Sequence, residues 1–163
     1  MGVLDRPGFG LYVHWPYCQS KCPYCDFNSH VTSAVDHDLW KSTFLSELAR
    51  FGVETPNRQL DSIFFGGGTP SLMDPGVVGA IIDEAQQQWS FANDIEITLE
   101  ANPTSIELGK FEGFKAAGIN RVSVGIQALN DQDLRALGRL HSAQDAIQAF
   151  DIAGKVFIGQ VLT

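Results

Sequence analysis

Apolar residues along the chain form short runs that alternate with longer segments in which they recur every three or four positions. The short runs are typical of buried β-strands, and the longer segments are typical of helices with one apolar face. Strands are predicted at residues 11–15, 62–65, 95–99 and 121–126, with a weaker fifth strand at 156–158. Helices are predicted at residues 36–51, 75–89, 104–117, 131–137 and 143–153.

The order of these elements predicts the class of fold. Asp74 is expected to be an N-cap with Pro75 in the first helical position, and Gly118 is expected to end the third helix. Alternation of helices with strands that are apolar on both faces predicts right-handed βαβ units around a parallel sheet, either open or curved into a barrel. Polar and glycine residues follow the strands directly, where α/β proteins build their functional sites.

Composition and charge narrow the class of protein. With 163 residues, 44% of them hydrophobic and 18% charged, the chain has the make-up of one globular domain. A formal net charge of −8 and the lack of a basic run argue against nucleic acid and anionic membranes as partners. The sequence has no apolar signal region and no segment with the length of a membrane span. Because free cysteines suit a reducing compartment, a cytoplasmic location is expected.

The cysteines carry the candidate chemistry. Cys18, Cys22 and Cys25 are the three cysteines of the chain, and their spacing is Cys-x3-Cys-x2-Cys. An iron–sulfur cubane usually takes four thiolates, so three leave one iron open to another ligand. An open iron suggests S-adenosylmethionine, whose amino and carboxylate groups can chelate it. Two other interpretations stay open here: a structural zinc site completed by His14 or His30, and a disulfide with one free thiol.

Further motifs follow the cysteines in a fixed order. Tyr-Val-His-Trp-Pro precedes them, and Gly-Gly-Gly-Thr-Pro, Leu-Glu-Ala-Asn-Pro, Gly-Ile-Gln and Gly-Arg-Leu-His come after them. With the cysteine spacing, these motifs resemble the N-terminal part of radical S-adenosylmethionine proteins. The resemblance is closest to the oxygen-independent coproporphyrinogen III oxidase group and, within that group, to its heme chaperone branch.

The resemblance implies a fold and its extent. The fold would be α/β, a partial parallel (β/α) barrel that stops after four or five βα units. Residues 1–163 would form a radical S-adenosylmethionine core domain that is incomplete at its C-terminus. Because the segment after residue 152 departs from the family pattern, we expect a truncated version with weakened cofactor binding.

The resemblance also implies cofactors and the residues that hold them. Cys18, Cys22 and Cys25 would bind a 4Fe-4S cluster. The predicted contacts to S-adenosylmethionine are Tyr12, Tyr24, Gly67, Gly68, Thr69, Glu100, Gln127 and Arg139. Heme would be a further ligand of the full-length form.

Judged by pattern alone, several of these residues have a plainer interpretation. Tyr12 would be a core aromatic on a buried strand, the glycines a tight turn, Glu100 a solvated strand end, and Arg139 a surface arginine. The four histidines have no metal-like spacing among themselves and are expected to be structural or solvated.

The resemblance leaves two functions from different classes. A heme chaperone would bind heme and pass it to a client protein, whereas an oxidase would act on coproporphyrinogen III. The oxidase pattern has a fourth cysteine where this chain has Phe27. That substitution favours the chaperone, with the oxidase as the alternative and a zinc-binding domain or an inactive fragment as a third interpretation.

Overall fold

The computed structural model of the protein describes residues 8–103 and 110–162. Its strands are β1 (Gly10–Trp15), β2 (Tyr17–Cys18), β3 (His30–Val31), β4 (Gln59–Gly67), β5 (Ser90–Ala101), β6 (Arg121–Val124) and β7 (Val161–Leu162). Its helices are α1 (His37–Glu54), α2 (Pro75–Gln88), α3 (Phe111–Ala116), α4 (Asp131–Ala136) and α5 (Ala143–Val156), with a 3-10 turn at Pro70–Leu72.

Five strands form one parallel sheet in the order β1-β4-β5-β6-β7, and β2 pairs with β3 separately. The prediction of parallel βαβ units is therefore confirmed. Since the main strands all point the same way, the carboxyl ends of β4, β5 and β6 meet at one edge of the sheet. The cysteine loop, which we define as residues 18–29, joins β2 to β3 after the carboxyl end of β1.

One face of the sheet forms the hydrophobic core. Alternate strand residues point to the same face, and Val13, Ile63, Leu99 and Val122 are all buried there. They join one core cluster with apolar residues of α1, α2, α3 and α5. Burial of each such side chain stabilises the fold by about 1.5–3 kcal/mol.

The opposite face carries polar and aromatic residues in register. Tyr12 lies beside Phe64, Phe64 beside Thr98, and Thr98 beside Arg121. Arg121 forms an ion pair with Glu96, and the Thr98 hydroxyl donates a hydrogen bond to the same carboxylate at 3.0 Å. The core cluster thus covers one face, and the opposite face is polar and aromatic although Thr98 on it is fully buried, which corrects the expectation of strands with two apolar faces.

Helix starts and stops follow local side-chain chemistry. Asp74 caps α2 by accepting a hydrogen bond from the Gly76 amide at 2.7 Å, with Pro75 as the first helical residue, as predicted. Gly118 follows α3 with a φ of 108°, a backbone conformation that glycine adopts most readily. Residues 104–109 of the predicted third helix lie outside the described residues. Among the described helices, none combines the length and the apolar composition that a membrane crossing requires.

The predicted fifth strand at residues 156–158 is wrong. Val156 is the last residue of α5, and Phe157 is its C-cap. The apolar run arises because Phe157 extends the buried face of the helix, where its ring meets the edge of Phe111 at 5.9 Å between centroids. The fifth strand is β7, which pairs with β6.

Candidate functional site

A cavity of about 870 Å³ opens at the carboxyl ends of β4, β5 and β6, between the strand ends and the cysteine loop. Its polar and thiol lining contains most of the residues predicted from the sequence. Those residues are Cys18, Cys22, Tyr24, Cys25, Gly67, Gly68, Thr69, Glu100, Gln127 and Arg139. Tyr12 is the predicted residue that does not line it.

The three thiols are all free, which contradicts the disulfide interpretation. Cys18 is buried, and Cys22 and Cys25 are partly exposed. Cys22 Sγ lies 3.5 Å from an Arg139 nitrogen, and Cys25 Sγ lies 3.6 Å from the Ser29 hydroxyl. Within residues 8–103 and 110–162, no three His, Cys, Asp or Glu side chains are gathered closely enough to hold a metal ion. The thiols therefore share one cavity wall without forming a closed cage.

The glycine run packs directly against the cysteine loop. The Gly68 amide donates to the Trp15 carbonyl at 2.7 Å, and the Thr69 amide donates to the Tyr17 carbonyl at 2.8 Å. A Cβ at Gly68 would lie 2.7 Å from that Tyr17 oxygen, and Gly67 has a φ of 112°. Both residues thus need to be glycine, because a side chain would force the strand end away from the loop.

Glu100 and Tyr12 both lie on the face opposite the core, on strands separated by β4. Burial raises the pKa of the Glu100 carboxyl, and a hydrogen bond from the Gly67 amide partly offsets that shift. Burial also raises the pKa of Tyr12, with a smaller contribution from the charge of Glu100. Tyr12 is 56% exposed and stacks on Phe64, so it is not a core aromatic. Glu100 is partly buried rather than a solvated strand end.

Gln127 follows β6 in an unusual backbone conformation. Its φ is 70°, in the left-handed region that residues other than glycine seldom adopt. The side chain is exposed and lines the cavity. Such conformations cost of order 1–3 kcal/mol and cluster at functional sites, and the role of Gln127 as a cofactor contact stays a prediction.

Arg139 is not the surface arginine that its pattern suggests. One terminal nitrogen donates to the Asn102 side-chain oxygen at 2.6 Å and to the Gly125 carbonyl at 2.8 Å. The other lies 3.5 Å from Cys22 Sγ and 3.4 Å from the Tyr24 hydroxyl. The Nε atom is buried, with no hydrogen-bond partner among the described residues.

Sequence analysis missed Asn102 as a site residue. Its side-chain amide donates to the Thr69 hydroxyl at 3.2 Å, and its oxygen accepts from Arg139. Its place after β5, two residues beyond Glu100, is the signal that marks it. The cavity lining also includes apolar side chains, among them Phe27, Leu129, Ile147 and Phe150.

Three of the four histidines make hydrogen bonds within the described residues. The ring of His14 lies 3.0 Å from the Asn28 carbonyl, and His30 contacts the Asn28 side chain at 3.1 Å. His141 is buried and donates to the Ile126 carbonyl at 3.0 Å, and burial lowers its pKa. A zinc site that His14 or His30 completes stays an alternative, which the metal content of the purified chain tests.

Comparison with known proteins places the chain in a family. The family described as Radical SAM superfamily matches residues 12–163. Radical S-adenosyl methionine domain-containing protein 1, mitochondrial, of Bos taurus is 44% identical over 151 residues, which cover 93% of this chain and 34% of that protein. Heme chaperone HemW of Escherichia coli is 40% identical over 152 residues, which cover 93% of this chain and 40% of that protein.

Among solved structures, coproporphyrinogen III oxidase (HemN) from Escherichia coli, described as a radical SAM enzyme, has a TM-score of 0.83 to this chain. It is 25% identical, over 94% of this chain and 36% of that one. This likeness confirms the predicted α/β fold of the radical S-adenosylmethionine type. The chain spans 34–40% of the length of the two curated relatives above. On the family match and these identities, the chain belongs to the radical SAM superfamily.

Proposed function

We propose that Cys18, Cys22 and Cys25 hold a 4Fe-4S cluster and that S-adenosylmethionine binds beside it. The observation that carries the proposal is that three free thiols share one cavity with the carboxyl ends of three parallel strands. The donor set fits, since thiolates are the usual ligands of such clusters and three of them leave one iron open. Membership of the radical SAM superfamily supports the same assignment.

The polar wall of the cavity suits the amino-acid end of S-adenosylmethionine. Glu100 would accept hydrogen bonds from an ammonium group or from ribose hydroxyls, and Arg139 would bind a carboxylate. Thr69 and Gln127 offer further polar atoms on the same wall, and Tyr24 offers an aromatic ring. Tyr12 would approach the cofactor from beside Glu100. When bound, the two groups would supply one-electron reductive chemistry, while the protein contributes positioning and exclusion of water.

For the biological role we propose a heme chaperone that passes heme to a client protein. The Escherichia coli relative is named a heme chaperone, and the oxidase's fourth cysteine position is Phe27 here. Phe27 is 61% exposed and lines the cavity, and its side chain cannot ligate iron. The alternative is a coproporphyrinogen III oxidase, which the likeness to HemN favours. A cytoplasmic location stays a prediction, since the bovine relative is named mitochondrial.

Anaerobic reconstitution with iron and sulfide tests the cluster. The wild-type chain is expected to take up about four iron and four sulfide per chain. Cys22→Ser is expected to lose most of this iron, whereas Ser20→Ala, a change in the same loop that removes no thiol, is expected to match wild type. Stoichiometric zinc, or a cluster unchanged by Cys22→Ser, would contradict the proposal.

A paired assay separates the two roles. Heme is titrated into the 163-residue chain and followed by absorbance, and coproporphyrinogen III is incubated anaerobically with the loaded chain and S-adenosylmethionine. Full-length HemW of Escherichia coli serves as the reference. Stoichiometric heme binding without turnover supports the chaperone, and conversion to protoporphyrinogen IX would favour the oxidase instead.

A further inference from the structure

Arg139 is held against the cysteine loop by the turn that precedes it. Gly138 follows α4 with a φ of 66°, and a Cβ there would lie 2.7 Å from Cδ of Pro23. The backbone of this turn therefore touches the cysteine loop with no room for a side chain. His141, two residues further on, is tied to the Ile126 carbonyl after β6. The segment that carries Arg139 is thus fixed on both sides.

The two terminal nitrogens of Arg139 serve different parts of the molecule. One is anchored to the strand ends through Asn102 after β5 and Gly125 after β6, at 2.6 and 2.8 Å. The other reaches the cysteine loop at Cys22 Sγ and the Tyr24 hydroxyl, at 3.5 and 3.4 Å. Sulfur is larger than oxygen, so 3.5 Å is a close approach for an N–H donor. A planar guanidinium holds its N–H donors in a rigid fork that spans these groups, whereas a lysine ammonium is a compact charge on a flexible stem.

The positive charge of Arg139 is not neutralised by a neighbouring carboxylate. The ion pairs in residues 8–103 and 110–162 involve Arg50 and Arg121, both away from the cysteine loop. Among the described residues, Arg139 therefore brings a positive charge that no ion pair neutralises to within 3.5 Å of Cys22 Sγ. A hydrogen bond from a charged donor favours the more negative state of its acceptor, and hydrogen bonds to the sulfurs help to set the reduction potential of an iron–sulfur cluster.

We propose that Arg139 is a positioning residue for the cysteine loop, which it clamps to the strand ends, and that its N–H group beside Cys22 Sγ raises the reduction potential of the cluster. The clamp is inferred only from contacts between residues of this chain, and it needs no bound cofactor. The effect on potential rests on the proposed function, because it needs a cluster bound to Cys22. This role is separate from any contact of Arg139 with S-adenosylmethionine, so it is tested without that cofactor.

The first test is a redox titration of the reconstituted cluster, followed by electron paramagnetic resonance, without S-adenosylmethionine. Arg139→Gln and Arg139→Lys are compared with wild type and with Arg135→Gln, a matched control on the exposed side of α4. At an applied potential equal to the wild-type midpoint, the ratio of reduced to oxidised cluster is expected to fall about tenfold in Arg139→Gln, the effect of about one charge-assisted hydrogen bond. The ratio in Arg139→Lys is expected to lie between those of wild type and Arg139→Gln, and the ratio in Arg135→Gln is expected to match wild type. An unchanged midpoint in Arg139→Gln would overturn the effect on potential.

The second test uses the metal-free chain and does not depend on the cluster. Amide hydrogen exchange is measured by mass spectrometry for the peptide covering residues 19–27, where the Cys25 amide donates to the Cys22 carbonyl at 3.0 Å. Exchange in this peptide is expected to be several-fold faster in Arg139→Gln than in Arg135→Gln. Exchange in α2 is expected to be the same in both variants, which would show that Arg139→Gln is folded. Equal exchange in the loop would overturn the clamp. A wild-type chain that takes up no cluster would refute the proposed function and the effect on potential, while this measurement still decides the clamp.

Discussion

Replacing Gly68 with alanine is expected to separate the cysteine loop from the end of β4. The added Cβ would lie 2.7 Å from the Tyr17 oxygen, 2.9 Å from the Tyr17 carbonyl carbon and 3.0 Å from Cys18 Sγ. Two of these three atoms belong to the backbone, so no rotamer change can relieve the clash. Restoring an ordinary contact of 3.4 Å at the oxygen requires the two segments to move apart by about 0.7 Å.

The cost follows from this displacement. Overpacking of this kind destabilises a protein by about 1–3 kcal/mol. The same gap is crossed by two backbone hydrogen bonds, from Gly68 to Trp15 at 2.7 Å and from Thr69 to Tyr17 at 2.8 Å. Weakening one of them adds about 1 kcal/mol. We therefore expect Gly68→Ala to lower the free energy of unfolding by about 2–4 kcal/mol and to reduce iron uptake at the thiols.

Urea unfolding followed by tryptophan fluorescence measures this loss, since Trp15 is fully buried beside the site. Gly154→Ala is the matched control, because a Cβ there meets no atom within 4 Å. Gly154 lies within α5, where alanine is favoured over glycine by up to about 1 kcal/mol, so this variant should be as stable as wild type or slightly more stable. Equal stability and equal iron content of Gly68→Ala and wild type would refute the reasoning.

Three further predictions concern polar groups. Burial lowers the pKa of His141, so the unfolded state binds more protons and stability falls as the pH drops through 6.5. The urea midpoint of wild type should therefore fall with pH across this range, and the midpoint of His141→Gln should not show this fall. Burial raises the pKa of Glu100 above 4.5, so its ionisation destabilises the fold as the pH rises through and above that value. The stability of Glu100→Gln relative to wild type should increase over the same pH range. A difference in stability that does not change with pH would count against the raised pKa. Asn120 accepts a hydrogen bond from the Ile97 amide at 2.8 Å and donates to the Ile95 carbonyl at 2.7 Å. Asn120→Ala should therefore lower the free energy of unfolding, measured by chemical denaturation, by about 1–3 kcal/mol. The control Asn93→Ala changes an exposed residue and should lower it little.

Local chemistry made much of the fold predictable. Strands and helix starts depend on residues a few positions apart, which is why the strand before Gly66 and the cap at Asp74 could be read directly from the sequence. The same local view failed at residues 156–158, where an apolar run extends a helix face rather than starting a strand. It also failed at Tyr12, because apolar content alone does not reveal which face of a strand is covered. Val13 is 4% exposed and Tyr12 is 56% exposed, although they are neighbours.

The finer arrangement of the candidate site depends on contacts between distant parts of the chain. Arg139 and Cys22 are 117 positions apart, and Asn102 and Thr69 are 33 apart. No periodicity or spacing signals such a pair, so the pattern favoured a surface arginine and passed over Asn102. The family resemblance indicated Arg139 because it draws on whole motifs, but it does not specify which neighbours the guanidinium contacts.

The pairing of β1 with β4 has a consequence for the order of events during synthesis of the protein. The cysteines leave the ribosome long before Gly68, whose amide bonds to Trp15 and closes the loop against the strand end. Arg139 emerges later still, after another two strands have been made. On a nascent chain the thiols are therefore exposed until these later residues have emerged. We expect metal delivery to this protein to follow the emergence of Arg139, and the free thiols to be most vulnerable to oxidation before that point.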